Sequence, residues 1–136
     1  MKNQRLAISS GKRKTSIAKT VISEGKGTVT INNIPHTLLN DFHRLSIEEP
    51  IRIAKSHLKS FNFDIRVKVV GGGREGQIDA ARLSISKALI EKTKSPSLKK
   101  ALEQYDRHLV VADVRRKEAY RPGDSKARRR RQKSYR

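Results

Sequence analysis

Cysteine is absent from this chain of 136 residues. There is therefore no disulfide framework, no thiolate nucleophile and no thiolate metal site. Tryptophan is also absent, and three phenylalanines and three tyrosines are the only aromatic residues, so the core is built mainly from aliphatic side chains. The longest uninterrupted apolar run is 109–112, far short of the roughly 20 residues that span a bilayer. At the N-terminus only Leu6, Ala7 and Ile8 form an apolar run, too short for the h-region of a signal peptide. These absences predict a cytosolic protein with no membrane segment. Acidic residues are scarce as well: 13 Asp and Glu face 32 Lys and Arg, a formal net charge of +19. A surplus of this size calls for an anionic partner.

The surplus is unevenly placed. Residues 1–114 carry a net +10, and the last 22 residues, 115–136, carry +9 with only Ala119, Tyr120, Ala127 and Tyr135 as apolar or aromatic content. That tail cannot bury enough surface to offset its own ordering entropy. The expectation is one folded domain over 1–114 and a basic tail over 115–136, disordered until it meets a partner.

Within the folded part, Val, Ile and Thr are frequent in 15–23 and 27–32. The Glu24-Gly25-Lys26-Gly27 turn between them predicts a hairpin. Ser46 and Glu49 fit a capping box ahead of Ile47, Ile51, Ala54 and Leu58, predicting a helix over 47–60 with Pro50 in its first turn. Strict alternation of Phe63, Ile65, Val67 and Val69 with Asp64, Arg66 and Lys68 predicts a strand over 62–70 with one wet face. Ile78, Ala81, Ile85, Ala88 and Leu89 mark a helix over 77–93. Ser95-Pro96 opens a shorter one, and 109–114 reads as a last strand. This order predicts an α+β domain of two layers.

Gly71-Gly72-Gly73-Arg74-Glu75-Gly76 satisfies the glycine pattern of a dinucleotide-binding loop between a strand and a helix. No second parallel strand ending in an acidic residue follows, so that reading is weak. A tight structural turn, or a phosphate site made by backbone N–H groups beside Arg74, both stand. His36, His43, His57 and His108 are dispersed, and there is no nucleophile elbow. Neither an enzyme, a metal nor a cofactor is expected. Basic clusters are the positive signal: Lys12-Arg13-Lys14 near the start, Arg115-Arg116-Lys117, and Lys126 through Arg136. Arginine in Arg128, Arg129, Arg130 and Arg131 suits bidentate phosphate recognition.

Three groups of residues, in this order, resemble the small-subunit ribosomal protein S-nine family. They are Gly11-Lys12-Arg13-Lys14-Thr15-Ser16-Ile17-Ala18; Gly71-Gly72-Gly73 with Gly76-Gln77; and Asp113-Val114-Arg115 with Glu118, Pro122-Gly123, Lys126-Ala127-Arg128-Arg129, Gln132 and the closing Ser134-Tyr135-Arg136. The penultimate Tyr135, where the bacterial pattern has lysine, is similar to the archaeal and eukaryotic branch. The resemblance covers essentially the whole chain. It implies a two-layer α/β fold like the second domain of ribosomal protein S-five, with a left-handed β-α-β crossover and an extended C-terminal tail. It implies a place in the subunit head, with small-subunit ribosomal RNA, neighbouring ribosomal proteins and peptidyl-site tRNA as partners. Lys12, Arg13, Lys14, Arg74, Arg115, Arg116, Lys126, Arg128, Arg129, Arg130, Arg131 and Lys133 would meet ribosomal RNA, with Gly71, Gly72, Gly73 and Gly76 as the phosphate-contacting loop. Ser134, Tyr135 and Arg136 would meet the tRNA anticodon stem-loop. Small basic subunits of RNA-processing ribonucleoproteins share this topology and form the alternative.

Overall fold

The computed structural model describes residues 6–120. The chain opens with β1 (Ala7–Arg13) and β2 (Ser16–Glu24), an antiparallel pair joined by the two-residue turn Lys14-Thr15. A second, shorter pair, β3 (Val29–Ile31) and β4 (Ile34–Pro35), turns at Asn32 and Asn33. Their φ values of 48° and 66° are those of the hairpin turn that matches strand twist, and asparagine tolerates them. A 3₁₀ turn, α1 (Asp41–His57), β5 (Phe63–Val70), α2 (Arg74–Thr93), α3 (Pro96–Tyr105) and a final 3₁₀ turn (Arg107–Leu109) follow.

The strands form one sheet in the order β1-β2-β5-β3-β4. β5 lies antiparallel to β2 and parallel to β3, so β3, α1 and β5 make a β-α-β unit. Alternation sets which face is covered. Ala18, Thr20 and Ile22 of β2 and Ile65, Val67 and Val69 of β5 are buried beneath the helices, while Lys19, Arg66 and Lys68 point to the opposite, open face. The α+β, two-layer expectation holds. α2 is the centre of the helical layer, packed on β1, β2 and β5 and flanked by α1 and α3. For that reason it buries residues nearly all round, Ala80, Leu83 and Ser84 as well as Ile78, Ala81, Ile85, Ala88 and Leu89. Each fully buried Ile or Leu here contributes about 1.5–3 kcal/mol.

Several elements differ from the sequence-based expectation. Segments 15–23 and 27–32 are not a hairpin, because β5 inserts between β2 and β3. β1 was not expected: Ser9, Ser10 and Gly11 are poor strand formers, yet Gly11 is what lets β1 lie close on α2. A Cβ there would stand 2.4 Å from the Ala80 carbonyl oxygen. α1 begins six residues earlier, at Asp41 with Asn40 as its cap residue. Ser46 is therefore not a cap; its hydroxyl donates to the Phe42 carbonyl at 2.9 Å, and Glu49 pairs with Arg82 of α2. Pro50 is buried in the helix interior rather than in the first turn. α2 starts at Arg74, three residues before the expected 77. Ser95 caps α3 as expected, accepting from the Leu98 N–H at 3.4 Å. The strand expected over 109–114 is instead the end of a 3₁₀ turn followed by irregular chain. Leu109 anchors that segment in the core, while Val111 and Val114 are exposed. No helix among the described residues is long and apolar enough to cross a membrane.

Candidate nucleic-acid interface

Pairing of β2 with β5 places Ile17 opposite Val70, so the β1–β2 turn and the loop leaving β5 meet at one end of the sheet. Gly71 and Gly72 take φ values of 76° and 68°, a region that costs side-chain-bearing residues about 1–2 kcal/mol. The space is as restrictive as the torsion. A Cβ on Gly72 would fall 2.0 Å from the Ser16 hydroxyl, and one on Gly71 2.7 Å from the Thr15 carbonyl oxygen. The Ser16 hydroxyl and the Gln77 amide both donate to the Gly71 carbonyl, at 3.0 and 3.1 Å. Two of the three consecutive glycines thus have a packing reason, and Gly76 also borders Ser16. Gly73 has open space around it and precedes the first turn of α2. Among the described residues no further strand follows α2, so the second strand of a dinucleotide-binding unit is missing there.

The segment after Leu109 returns to the same end. Asp113 is its anchor: the Arg13 guanidinium pairs with it, and Arg115 clasps the same carboxylate through Nε at 2.9 Å and Nη2 at 2.8 Å. The Arg115 backbone N–H adds a bond of 2.8 Å. Arg13 also lies 3.4 Å from Asp79 of α2. Arg116 donates to the carbonyls of Asp113 and Arg115, and the Lys117 ammonium sits 4.4 Å from the Tyr120 ring centre. Arg13, Lys14, Thr15, Arg115, Arg116 and Lys117 line one groove.

Two sequence clusters about a hundred residues apart thus converge, beside the glycine loop. Their members do different work. Lys12 and Lys14 are exposed and form no ion pair among the described residues. The charge of Arg13 is matched by two carboxylates, which makes it a tie between β1, α2 and the chain leaving the domain. Arg74 is not brought into this groove; it lines a separate one with Asn32, His43 and Gln77. Lys126, Arg128, Arg129, Arg130, Arg131, Lys133, Ser134, Tyr135 and Arg136 lie outside the described residues.

Two carboxylates are held below their ordinary pKa. For Asp64 the cause is chiefly the hydrogen bond from the Thr28 N–H, at 2.9 Å, with the Thr28 hydroxyl and the Gly27 N–H adding to it. For Glu48 it is the hydrogen bond from Arg52. Both sit away from the basic end and serve the fold. Among the described residues no group of three His, Asp or Glu side chains is placed to hold a metal. The site's chemistry is electrostatic: exposed cations around a loop with open backbone, suited to phosphate. Asp79 belongs to no motif that marks it in the sequence. It lies one helical turn beyond Glu75, on a face the sequence alone does not orient toward β1.

A family model described as ribosomal protein S9/S16 matches residues 11–136. The chain is 42% identical over 130 residues to the small ribosomal subunit protein uS9 of Thermoplasma volcanium, covering 95% of this chain and 97% of that protein. It is 42% identical over 129 residues to the uS9 of Methanothrix thermoacetophila, covering 94% and 96%. With the uS9 of Halobacterium salinarum it shares 43% over 128 residues, covering 93% and 96%.

Proposed function

Because the chain belongs to the ribosomal protein S9/S16 family, we propose that its basic end seats the domain on small-subunit ribosomal RNA in the subunit head and that its C-terminal residues reach peptidyl-site tRNA. The chain is a structural constituent of the cytoplasmic small ribosomal subunit, not an enzyme. Ribosomal RNA and neighbouring ribosomal proteins are its partners. The observation that carries the finer reading is the convergence of Lys14, Arg115 and Arg116 on one groove beside the 71–73 loop, with the chain continuing from there toward residue 136.

The division between domain and tail falls near residue 114 on this reading. Asp113 is where the Arg13 tie fixes the outgoing chain, and beyond it Arg116 bonds, among the described residues, to the nearby backbone carbonyls of Asp113 and Arg115. A phosphate at the groove would meet Lys14 and Arg116. Lys126, Arg128, Arg129, Arg130, Arg131 and Lys133 would extend the track along RNA. Ser134, Tyr135 and Arg136 would touch the anticodon stem-loop, Arg136 by a charge-assisted contact with a phosphate. Removing Tyr135 and Arg136 is expected to weaken tRNA binding to the peptidyl site of isolated small subunits while leaving subunit assembly near normal. Filter binding of tRNA to subunits carrying the shortened chain checks this, and unchanged affinity would count against the tail's role.

A further inference from the structure

We infer that the open face of the sheet is a second RNA-binding surface, one that takes phosphodiester backbone across Lys19, Arg66 and Lys68. The inference rests on the ribosomal RNA reading above, but concerns a different surface. Strand register puts Lys19 directly opposite Lys68, with Arg66 two positions along β5, so three cations lie within about one strand spacing, ~5 Å, and one two-residue step, ~6.7 Å, of one another. None makes an ion pair among the described residues. The nearest carboxylate in the pattern, Asp64, is engaged by the N–H groups of Gly27 and Thr28. Like charges directly across a strand pair destabilise a sheet, so folding gives no reason for this pairing. An anion lying between the two ammonium groups would turn the repulsion into attraction.

The neighbouring features fit backbone better than bases. Lys19, Val21, Thr30, Arg66 and Lys68 line one trough. No aromatic ring stands among them, and stacking on aromatics is how sheets hold bases. The face is also continuous with the basic end, since Lys12 stands on the same side of β1, beside Ile17. RNA following the groove at the turn therefore meets Lys12 and then the trough.

The test uses the full chain and transcribed small-subunit ribosomal RNA, with affinity measured across a salt series. The variant K19Q/R66Q/K68Q is compared with wild type and with K14Q/R116Q at the basic end. The expected result is a fall of about 2–3 in the magnitude of the slope of log K against log salt for the sheet variant, one step for each lost phosphate contact. K19Q alone is expected to raise the melting temperature of the free protein while lowering RNA affinity, a pairing of signs that a purely structural lysine would not give. If the sheet variant keeps the wild-type slope while K14Q/R116Q reduces it, this inference falls and the ribosomal RNA reading stands. If the wild-type chain shows no salt-dependent RNA binding, both fall. An unchanged slope with loss of the sheet variant from assembled subunits would give the face to an acidic protein neighbour and overturn the RNA assignment.

Discussion

Thr20 and Ser84 are fully buried polar residues that bond across the sheet–helix interface at 2.6 Å. The Ser84 hydroxyl donates to the Ala81 carbonyl at 3.0 Å, so the shared bond is donated by Thr20. The two are therefore not equivalent. Ser84→Ala strands the Thr20 hydroxyl in the core and is expected to cost about 1–3 kcal/mol, whereas Thr20→Val leaves Ser84 bonded and is expected to cost about 1 kcal/mol or less. Urea unfolding of the two variants checks the order; equal losses would contradict the assignment of donor and acceptor. Asp64 gives a pH prediction. Its carboxyl is held below the ordinary 3.8 by the Thr28 and Gly27 bonds, so it contributes stability that is fully present above that value. The contribution is lost as pH falls through the lower, folded-state value. Asp64→Asn is expected to lower stability at neutral pH and to flatten the acid limb of the pH–stability profile, read by thermal melts between pH 2 and 7. At this scale the sequence was legible where one face decided the pattern, as in β5, where Ile65, Val67 and Val69 are buried as their spacing implied. It was not legible where a side chain's partner is distant. Arg13 reads as a free cation beside Lys12 and Lys14, yet two carboxylates from 66 and 100 residues away meet it.

Among the elements, local signals succeeded for α3, whose Ser95-Pro96 start stands in the structure and whose Leu98 and Leu102 are buried. They failed for the hairpin expected at 24–27. A Gly-rich turn reports that the chain bends, not which strand fills the gap, and β5 arrives from thirty residues later to separate β2 from β3. Pro50 misplaced the start of α1 for a related reason. A proline is cheapest in a first turn and costs about 3 kcal/mol inside a helix, but here its ring is buried alongside Ile47, Ile51 and Ala54, and packing offsets part of the lost bond. β1 is the element most sensitive to a single atom. A methyl group at Gly11 would meet the Ala80 carbonyl oxygen at 2.4 Å and the Ser84 nitrogen at 2.8 Å, both backbone atoms of α2 that cannot rotate aside. Gly11→Ala is expected to destabilise the protein by about 1–3 kcal/mol through forced separation of β1 from α2. A guanidinium unfolding midpoint unchanged from wild type would contradict that packing.

For the whole molecule, charge is the organising quantity. The net +19 divides between a domain whose fold gathers cations at one end and along one sheet face, and residues 115–136, which hold nearly half of it. The folded part neutralises some of its own surplus in ties such as Arg13–Asp113 and Arg82–Asp106, and these ties orient what remains exposed. The charge split was legible from composition alone. Which residues share a groove was not, because only the β2–β5 pairing and the return of the chain to Asp113 bring 12–14 and 115–117 together. The absence of cysteine supplies the most direct test that this end rests on RNA. A single Thr15→Cys chain, carrying a hydroxyl-radical probe on its one thiol, is assembled into small subunits beside a Ser60→Cys control at the opposite end of the sheet. Strong cleavage of ribosomal RNA in the subunit head from position 15, well above that from position 60, is the predicted result; cleavage from position 15 no stronger than from the control would contradict the account.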